Sequence, residues 1–164
     1  MTGVQTCALP ISLIKWESGN DAFRIHRLVQ EVTRERLPPE RREPWLRATL
    51  TVMNDFLPGD PPPQDVRSWP RWEPMRPHVV AVIAAADAAG IGEPTSRLMN
   101  GLGLLLMTQC IWTEAEFLYR RALAIDEQSY GPDHPRVAID LNNLAALLQA
   151  TNRLAEAEDR KSVV

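Results

Sequence analysis

One stretch of the chain repeats itself at an offset of 42 residues, and this constrains the fold more than any other feature. Residues 100–116 and 142–158 are identical at seven of their seventeen positions. The shared residues are an Asn, three Leu and a Glu-Ala-Glu triplet, in the same order. A repeat of this length indicates stacked supersecondary units, because one unit alone cannot bury its apolar face.

The repeated region has helical periodicity and clear breaks. We expect helices at 97–109, 114–129 and 137–150, with the start of a fourth after them. Thr95 or Ser96 can cap the first helix, and Thr113 with Glu116 forms a capping box for the second. The segment 131–135 (GPDHP) then breaks the chain before the third helix.

Apolar and small residues recur at spacings that predict an α-solenoid core. The apolar faces are formed by Leu102, Leu106, Leu118, Tyr119, Leu123 and Ile125. Small residues recur where paired helices must approach: Gly103 and Ala145, Ala115 and Ala157, and Ala122. Because only one and a half units are present, we expect the last helix to expose Leu144, Leu147 and Leu148, and the chain to be marginally stable.

The residues before the repeat predict a hairpin and three helices. The predicted elements are a β-hairpin at 13–25 and helices at 26–37, 40–57 and 70–89. A proline-rich linker at 59–63 precedes the last of these, and Gly90 is expected at its C′ position. Pro74 and Pro77 are expected to lie in its first turn or to mark its true start.

Composition and motifs exclude several classes of function. With 18 basic and 21 acidic residues and a net charge of −3, the chain lacks the positive charge that nucleic-acid binding requires. No apolar run approaches the roughly 20 residues of a membrane span. Of the two cysteines, Cys110 is expected to be a buried thiol, and a disulfide framework is not indicated, which favours the cytoplasm. No P-loop, nucleophile elbow or metal motif is present, so neither an enzyme nor a metal site is predicted.

The repeat resembles the tetratricopeptide family. Leu102-Gly103 and Leu106, followed by Ala115, Tyr119 and Ala122, match its L-G-x-x-Y…A-x-x-x-F spacing. The period of 42, with YRRALAIDEQSYGPDHP and LNNLAALLQA, resembles the longer repeats of kinesin light chains. This resemblance implies an α-solenoid of helix hairpins that binds a protein or peptide.

The segment AFRIHRLVQEVTRERL, residues 22–37, resembles the winged-helix part of nucleotide-switch ATPases of the NB-ARC and STAND class. The resemblance implies that His26 contacts the β-phosphate of ADP, although Arg27 stands where that family has Asp. Bacterial members join such a switch to 42-residue repeats through a segment similar to SWPRWEPMRPHV. The resemblance implies that a longer parent protein binds ADP or ATP and that the present chain itself binds no cofactor.

The two ends of the chain resemble translated sequencing adapters. TGVQTCALPI near the start and DRKSVV at the end carry this resemblance. We therefore expect a fragment whose domains are a winged-helix remnant at 12–37, a helical linker region at 38–95 and tetratricopeptide repeats at 96–158. Residues 1–11 and 159–164 are expected to be non-native.

Three asparagines are the candidate binding residues. Asn100, Asn142 and Asn143 are expected on the concave face, where an amide can both donate to and accept from a peptide backbone. The alternative is that they form hydrogen bonds between helices. The function predicted is the ligand-sensing arm of a nucleotide-switch ATPase. The alternatives are a stand-alone tetratricopeptide scaffold and a winged-helix DNA-binding regulator; no oligomeric state is indicated.

Overall fold

The computed structural model describes residues 14–17, 22–25, 27–57 and 59–151, and these are mainly helical. The elements are β1 (Ile14–Glu17), β2 (Ala22–Ile25), α1 (Arg27–Arg36), α2 (Pro39–Phe56), a 3₁₀ turn (Val66–Ser68), α3 (Trp69–Ala88), α4 (Thr95–Thr108), α5 (Trp112–Tyr130) and α6 (Pro135–Ala150). The predicted mainly-α fold, with a short hairpin before the helical repeats, is confirmed.

The chain divides into two compact units, Met1–Arg42 and Glu43–Val164. In the first unit, β1 and β2 pair antiparallel, with Ile14 opposite Ile25. Helix α1 follows and ends before Pro38-Pro39, as expected for a chain that meets two prolines. His26, the residue implied to contact ADP, lies outside the described residues.

In the second unit, helices α3 to α6 pack on one another in chain order. Helix α3 packs on α4, α4 on α5, and α5 on α6, and α4 also contacts α6. All six apolar residues predicted for the core of the repeat are buried, and Leu105, Val137 and Leu144 join them. Each helix therefore buries its apolar face against its neighbours, as the repeat predicted.

Two glycines on α4 allow aromatic rings to pack against its backbone. A Cβ atom at Gly103 would lie 2.6 Å from Cε1 of the buried Tyr119. One at Gly101 would lie 2.8 Å from Cη2 of Trp72. Gly103 thus has the close-packing role that its small size predicted, and it couples α4 to α5.

The predicted side-chain caps of α4 and α5 are wrong. Helix α4 begins at Thr95 itself, with Pro94 at the cap position, and no side chain caps it. Helix α5 begins at Trp112, so the cap position falls on Ile111, whose carbonyl accepts from the amide of Ala115 at 3.2 Å. Thr113 already lies inside the helix, where its side chain cannot serve as the cap.

Helix α3 begins earlier than Pro74 and Pro77 suggested. It starts at Trp69, and both prolines lie inside it, beyond the first turn. The preceding 3₁₀ turn is capped by Asp65, which accepts from the amide of Arg67 at 2.9 Å. At the other end, Gly90 has φ +69°, and the amide of Ile91 donates to the carbonyl of Ala86. This confirms Gly90 at the C′ position.

Two further predictions are corrected. Cys110 is exposed, with φ +61°, in the turn between α4 and α5, because the chain reverses there rather than continuing the apolar helix. Leu144, Leu147 and Leu148 are each 0% exposed, because α6 packs this face against the repeat. Within the described part of the chain, no helix is long and apolar enough to cross a membrane.

Candidate peptide-binding groove between α4 and α6

Helices α4 and α6 border a groove with polar and apolar walls. We define the α4–α6 groove by Arg97 and Asn100 of α4 and Ile139 and Asn143 of α6. A cavity of about 250 Å³ is lined by all four of these residues, and also by residues that precede the repeat, namely Asn54, Leu57, Gly59, Pro63 and Trp72. An adjoining cavity of about 290 Å³ is lined by the first three. The cavity of about 290 Å³ is also lined by Asp126, Arg136 and Asp140, and we call it the acidic cavity.

Asn100 links the two helices through its side-chain amide. Its Nδ2 donates to Oδ1 of Asp140 at 2.5 Å, and its Oδ1 accepts from Nδ2 of Asn143 at 3.2 Å. Asn100 and Asn143 are therefore brought together, as hydrogen-bonded partners, while both line the groove. Asn142 is exposed and lines neither cavity.

Two buried carboxyl groups form the floor of the acidic cavity. Asp126 of α5 is 3% exposed and Asp140 of α6 is 1% exposed. Oδ1 of Asp126 and Oδ2 of Asp140 have no hydrogen-bond partner among the described residues. Burial raises the pKa of Asp140 to about 7, and the adjacent Asp126 adds to the rise through its charge and through a hydrogen bond between the two carboxyl groups, whereas the hydrogen bond from Asn100 and the charge of Arg136 oppose it. Above this pKa the shared proton is lost, and the floor then offers two buried carboxylate oxygens without donors among the described residues.

The rim of the acidic cavity is held by an ion pair. Arg136 pairs with Glu93 and lies over the Tyr130 ring, 5.5 Å from its centroid. The Tyr130 hydroxyl also donates to Glu93, and this hydrogen bond, together with Arg136, holds the pKa of Glu93 below its usual value. His134 stacks on Tyr130, with 4.5 Å between ring centroids. The charge of Arg136 is therefore largely balanced by Glu93.

Asp126 and Asp140 were not among the site residues predicted from the sequence. Their signal is a carboxylate at core spacing: Asp126 follows Tyr119 and Ala122, and Asp140 lies between Val137 and Leu144. A charged residue on an otherwise apolar helix face is unusual, because burial of an unpaired charge is costly. That pattern could have indicated a buried polar site.

A third and larger cavity, of about 700 Å³, lies between α3, α4 and α5. Its walls are mostly apolar, and Phe117, which is 67% exposed, forms part of them. The pair of Asp87 and Arg121 lines it. It lies apart from the predicted asparagines and presents few directional polar groups.

The described residues include no cluster of three or more His, Cys, Asp or Glu that could hold a metal ion. In the acidic cavity, the oxygen ligands from carboxyl groups come from Asp126 and Asp140 alone. Hard cations such as Ca²⁺ take six or more oxygen ligands. The arrangement therefore suits hydrogen-bond donors of an organic group better than a metal ion.

Comparison with known proteins agrees with the helical architecture. The sequence model of the tetratricopeptide repeat family matches residues 94–161. The chain is also 32% identical, over 81 residues, to Protein KINESIN LIGHT CHAIN-RELATED 1 of Arabidopsis thaliana. That match covers 49% of this chain and 13% of the relative. Helices α4, α5 and α6 lie within residues 94–161 and are therefore tetratricopeptide-type repeats.

Proposed function

We propose that this chain is a non-catalytic interaction module that holds a peptide segment of a partner protein in the α4–α6 groove. Tetratricopeptide repeats are protein-interaction modules, which supports the general class. The observation that carries the specific proposal is the juxtaposition of Asn143, half-buried, with the exposed Ile139 along one groove. An amide can pair with a peptide backbone, while an apolar neighbour receives a side chain.

Selection from a random peptide library against the full chain tests this proposal. Bound peptides are then measured by fluorescence anisotropy against Ile139→Glu, which places a charge in the groove. Ile139 is 57% exposed, so the variant is expected to fold normally while its affinity falls at least about tenfold. Loss of that magnitude corresponds to about 1.4 kcal/mol of binding free energy.

Phe117→Glu is the matched control, since Phe117 is also exposed but lines the cavity between α3, α4 and α5. We expect this variant to bind the selected peptides as the wild type does. If Phe117→Glu abolishes binding and Ile139→Glu has no effect, the binding surface is the α3–α5 cavity and the groove proposal is wrong.

We further propose that the chain is the ligand-sensing arm of a nucleotide-switch ATPase of the STAND class, in which ligand on the repeats relieves autoinhibition. Support comes from the order of elements: β1, β2 and α1, in the segment similar to a winged helix, precede the repeats. His26 is proposed to contact ADP in that parent protein. A stand-alone scaffold is the competing proposal. The similarity to a kinesin light chain-related protein is equally consistent with the scaffold and with the switch ATPase.

Sequencing of the source locus across both ends decides between these parents. A P-loop upstream in the same reading frame, and further YRRALAI-type units downstream, are expected for the switch ATPase. Genomic codons for TGVQTCALPI and DRKSVV, with no P-loop upstream, would instead support the stand-alone scaffold. They would also contradict an adapter origin of residues 1–11 and 159–164.

A further inference from the structure

We infer that the acidic cavity is a subsite for a basic side chain, so that the partner peptide carries a lysine or arginine whose cationic group donates to Asp126 and Asp140. This inference rests on the proposed function, because the cavity adjoins the α4–α6 groove through Arg97, Asn100 and Ile139. It specifies the chemistry of the partner, which the repeat fold alone does not.

The acidic cavity holds a pair of buried oxygens that lack donors when Asp140 is ionised. These are Oδ1 of Asp126 and Oδ2 of Asp140, which have no donor among the described residues although both residues line the cavity. A buried carboxylate oxygen without a donor is costly, so a group that supplies N–H donors at this place gains the energy of those hydrogen bonds. An ammonium or guanidinium carries several N–H groups and a compensating charge.

The nearby cations of the protein do not supply these donors. Arg136 is engaged by Glu93, on the rim of the cavity. Arg97 is exposed, and it lies near Glu93 as well. The lining itself carries two aspartates and two arginines. When Glu93, which pairs with Arg136 at the rim, is added, this group of ionised residues carries one excess negative charge, which favours a cationic ligand.

The floor of the acidic cavity is preorganised by hydrogen bonds. Asn100 donates to Oδ1 of Asp140 at 2.5 Å and is itself held by Asn143. Oδ2 of Asp140, which is buried and has no partner among the described residues, is left as an acceptor without a donor. A volume of about 290 Å³ is ample for one long side chain that enters from the groove.

Titration with three capped peptides, Ac-GSGKGSG-NH₂ and its Arg and Gln analogues, tests the inference on the full chain. The readout is the ¹H–¹⁵N spectrum at pH 8, above the pKa of Asp140 of about 7. We expect the Lys and Arg peptides to shift the amide signals of Asp126 and Asp140, with an affinity at least about tenfold above that of the Gln peptide.

Asp126→Asn and Asp140→Asn are expected to reduce the affinity for the Lys peptide by about tenfold each, because each removes a charged acceptor. Asp133→Asn, the same change at an exposed turn residue, is expected to leave it unaltered. The comparison of Lys with Gln peptides needs no change in the protein, so it holds even if an Asp variant misfolds. Equal binding of the Gln peptide overturns the inference.

The library selection separates this inference from the proposed function. Selected peptides that depend on Ile139 and are enriched in lysine or arginine support both. Peptides whose binding depends on Ile139 but that lack basic residues would support the groove proposal and contradict the cationic subsite. If no selected peptide depends on Ile139, the groove and its subsite are both rejected.

Discussion

Asn100 donates a hydrogen bond from Nδ2 to Oδ1 of Asp140, 2.5 Å away across the contact between α4 and α6. This bond joins the first helix of one repeat to the first helix of the next. Asp140 is buried beside a second carboxyl group, that of Asp126, and the bond offsets only part of the resulting cost. This polar network lies in an apolar interface, so the stability of the interface depends on whether Asp140 is protonated.

Replacement of Asp140 by Asn is expected to stabilise the chain at high pH. In the folded chain the pKa is about 7, raised chiefly by burial from 3.8. Between these values the folded state keeps a proton that the unfolded state has released, so wild-type stability falls as pH rises through this window. Asp140→Asn should therefore be more stable than the wild type by up to about 4 kcal/mol at pH 8, with little difference near pH 4.

Urea unfolding of both proteins at pH 4, 6 and 8 measures this difference. Asp133→Asn serves as the control for the lost charge, since Asp133 is exposed, and should show no such trend. A stability difference that is the same at all three values of pH would contradict the role of Asp140.

The helices and the core could be predicted from the sequence because their signals are local. Apolar spacing identified Leu102, Leu106 and Tyr119 as core residues, and Gly90 marked the end of α3. The start of α5 was misplaced by two residues, since the choice between capping at Ile111 and at Thr113 depends on how the helices pack. Boundaries respond to tertiary contacts that local patterns do not contain.

The acidic cavity could not be assembled from the sequence. Asp126 and Asp140 lie on different helices, and their proximity follows from how α6 packs on α5. The offset of 42 pairs Asp140 with Leu98, so the repeat itself predicts an apolar residue there. Likewise, the sequence placed Asn100 as a candidate binding residue, but its partners Asp140 and Asn143 became visible only in three dimensions.

Gly103→Ala is expected to destabilise the chain although alanine favours helices. The gain in helix propensity is up to about 1 kcal/mol. The added Cβ would lie 2.6 Å from Cε1 of Tyr119, which is 0% exposed and cannot move into solvent. We expect a net loss of about 1–3 kcal/mol in the free energy of unfolding, measured by urea denaturation.

Gly59→Ala is the control for this change, because nothing lies within 4 Å of a Cβ at Gly59. Its effect should remain within about 0.5 kcal/mol. A stabilising Gly103→Ala would show that the Tyr119 ring can shift and that α4 and α5 are not packed this closely.

Tyr119→Phe is expected to preserve or slightly increase stability. The Tyr119 hydroxyl is buried and has no hydrogen-bond partner within the described residues, so its removal relieves an uncompensated desolvation. Tyr119→Ala, in contrast, should cost about 3–5 kcal/mol because it leaves a cavity beside Gly103. Thermal unfolding of the two variants distinguishes the contribution of the ring from that of the hydroxyl.

Tyr130→Phe provides the opposite case for comparison. Its hydroxyl donates to Glu93, so the loss should cost about 0.5–1.5 kcal/mol. If Tyr119→Phe proves the more harmful of the two substitutions, the Tyr119 hydroxyl must have a partner that this geometry does not contain.

The ion pair between Asp87 of α3 and Arg121 of α5 is expected to contribute modestly to stability. Nε of Arg121 lies 2.9 and 2.8 Å from the two carboxylate oxygens, and the side chains are 24% and 44% exposed, respectively. A double-mutant cycle with Asp87→Ala and Arg121→Ala should give a coupling energy of about 0.5–1 kcal/mol at low salt.

The pair of Glu43 and Arg47, which lie one turn apart on α2, provides the matched comparison. Their side chains are 57% and 54% exposed, so solvent screens them more, and a coupling of about 0.3–0.5 kcal/mol is expected. Both couplings should fall in 1 M NaCl, where the Debye length is about 3 Å. A larger coupling energy for Glu43 and Arg47 would show that the bidentate contact between Asp87 of α3 and Arg121 of α5 does not form in solution.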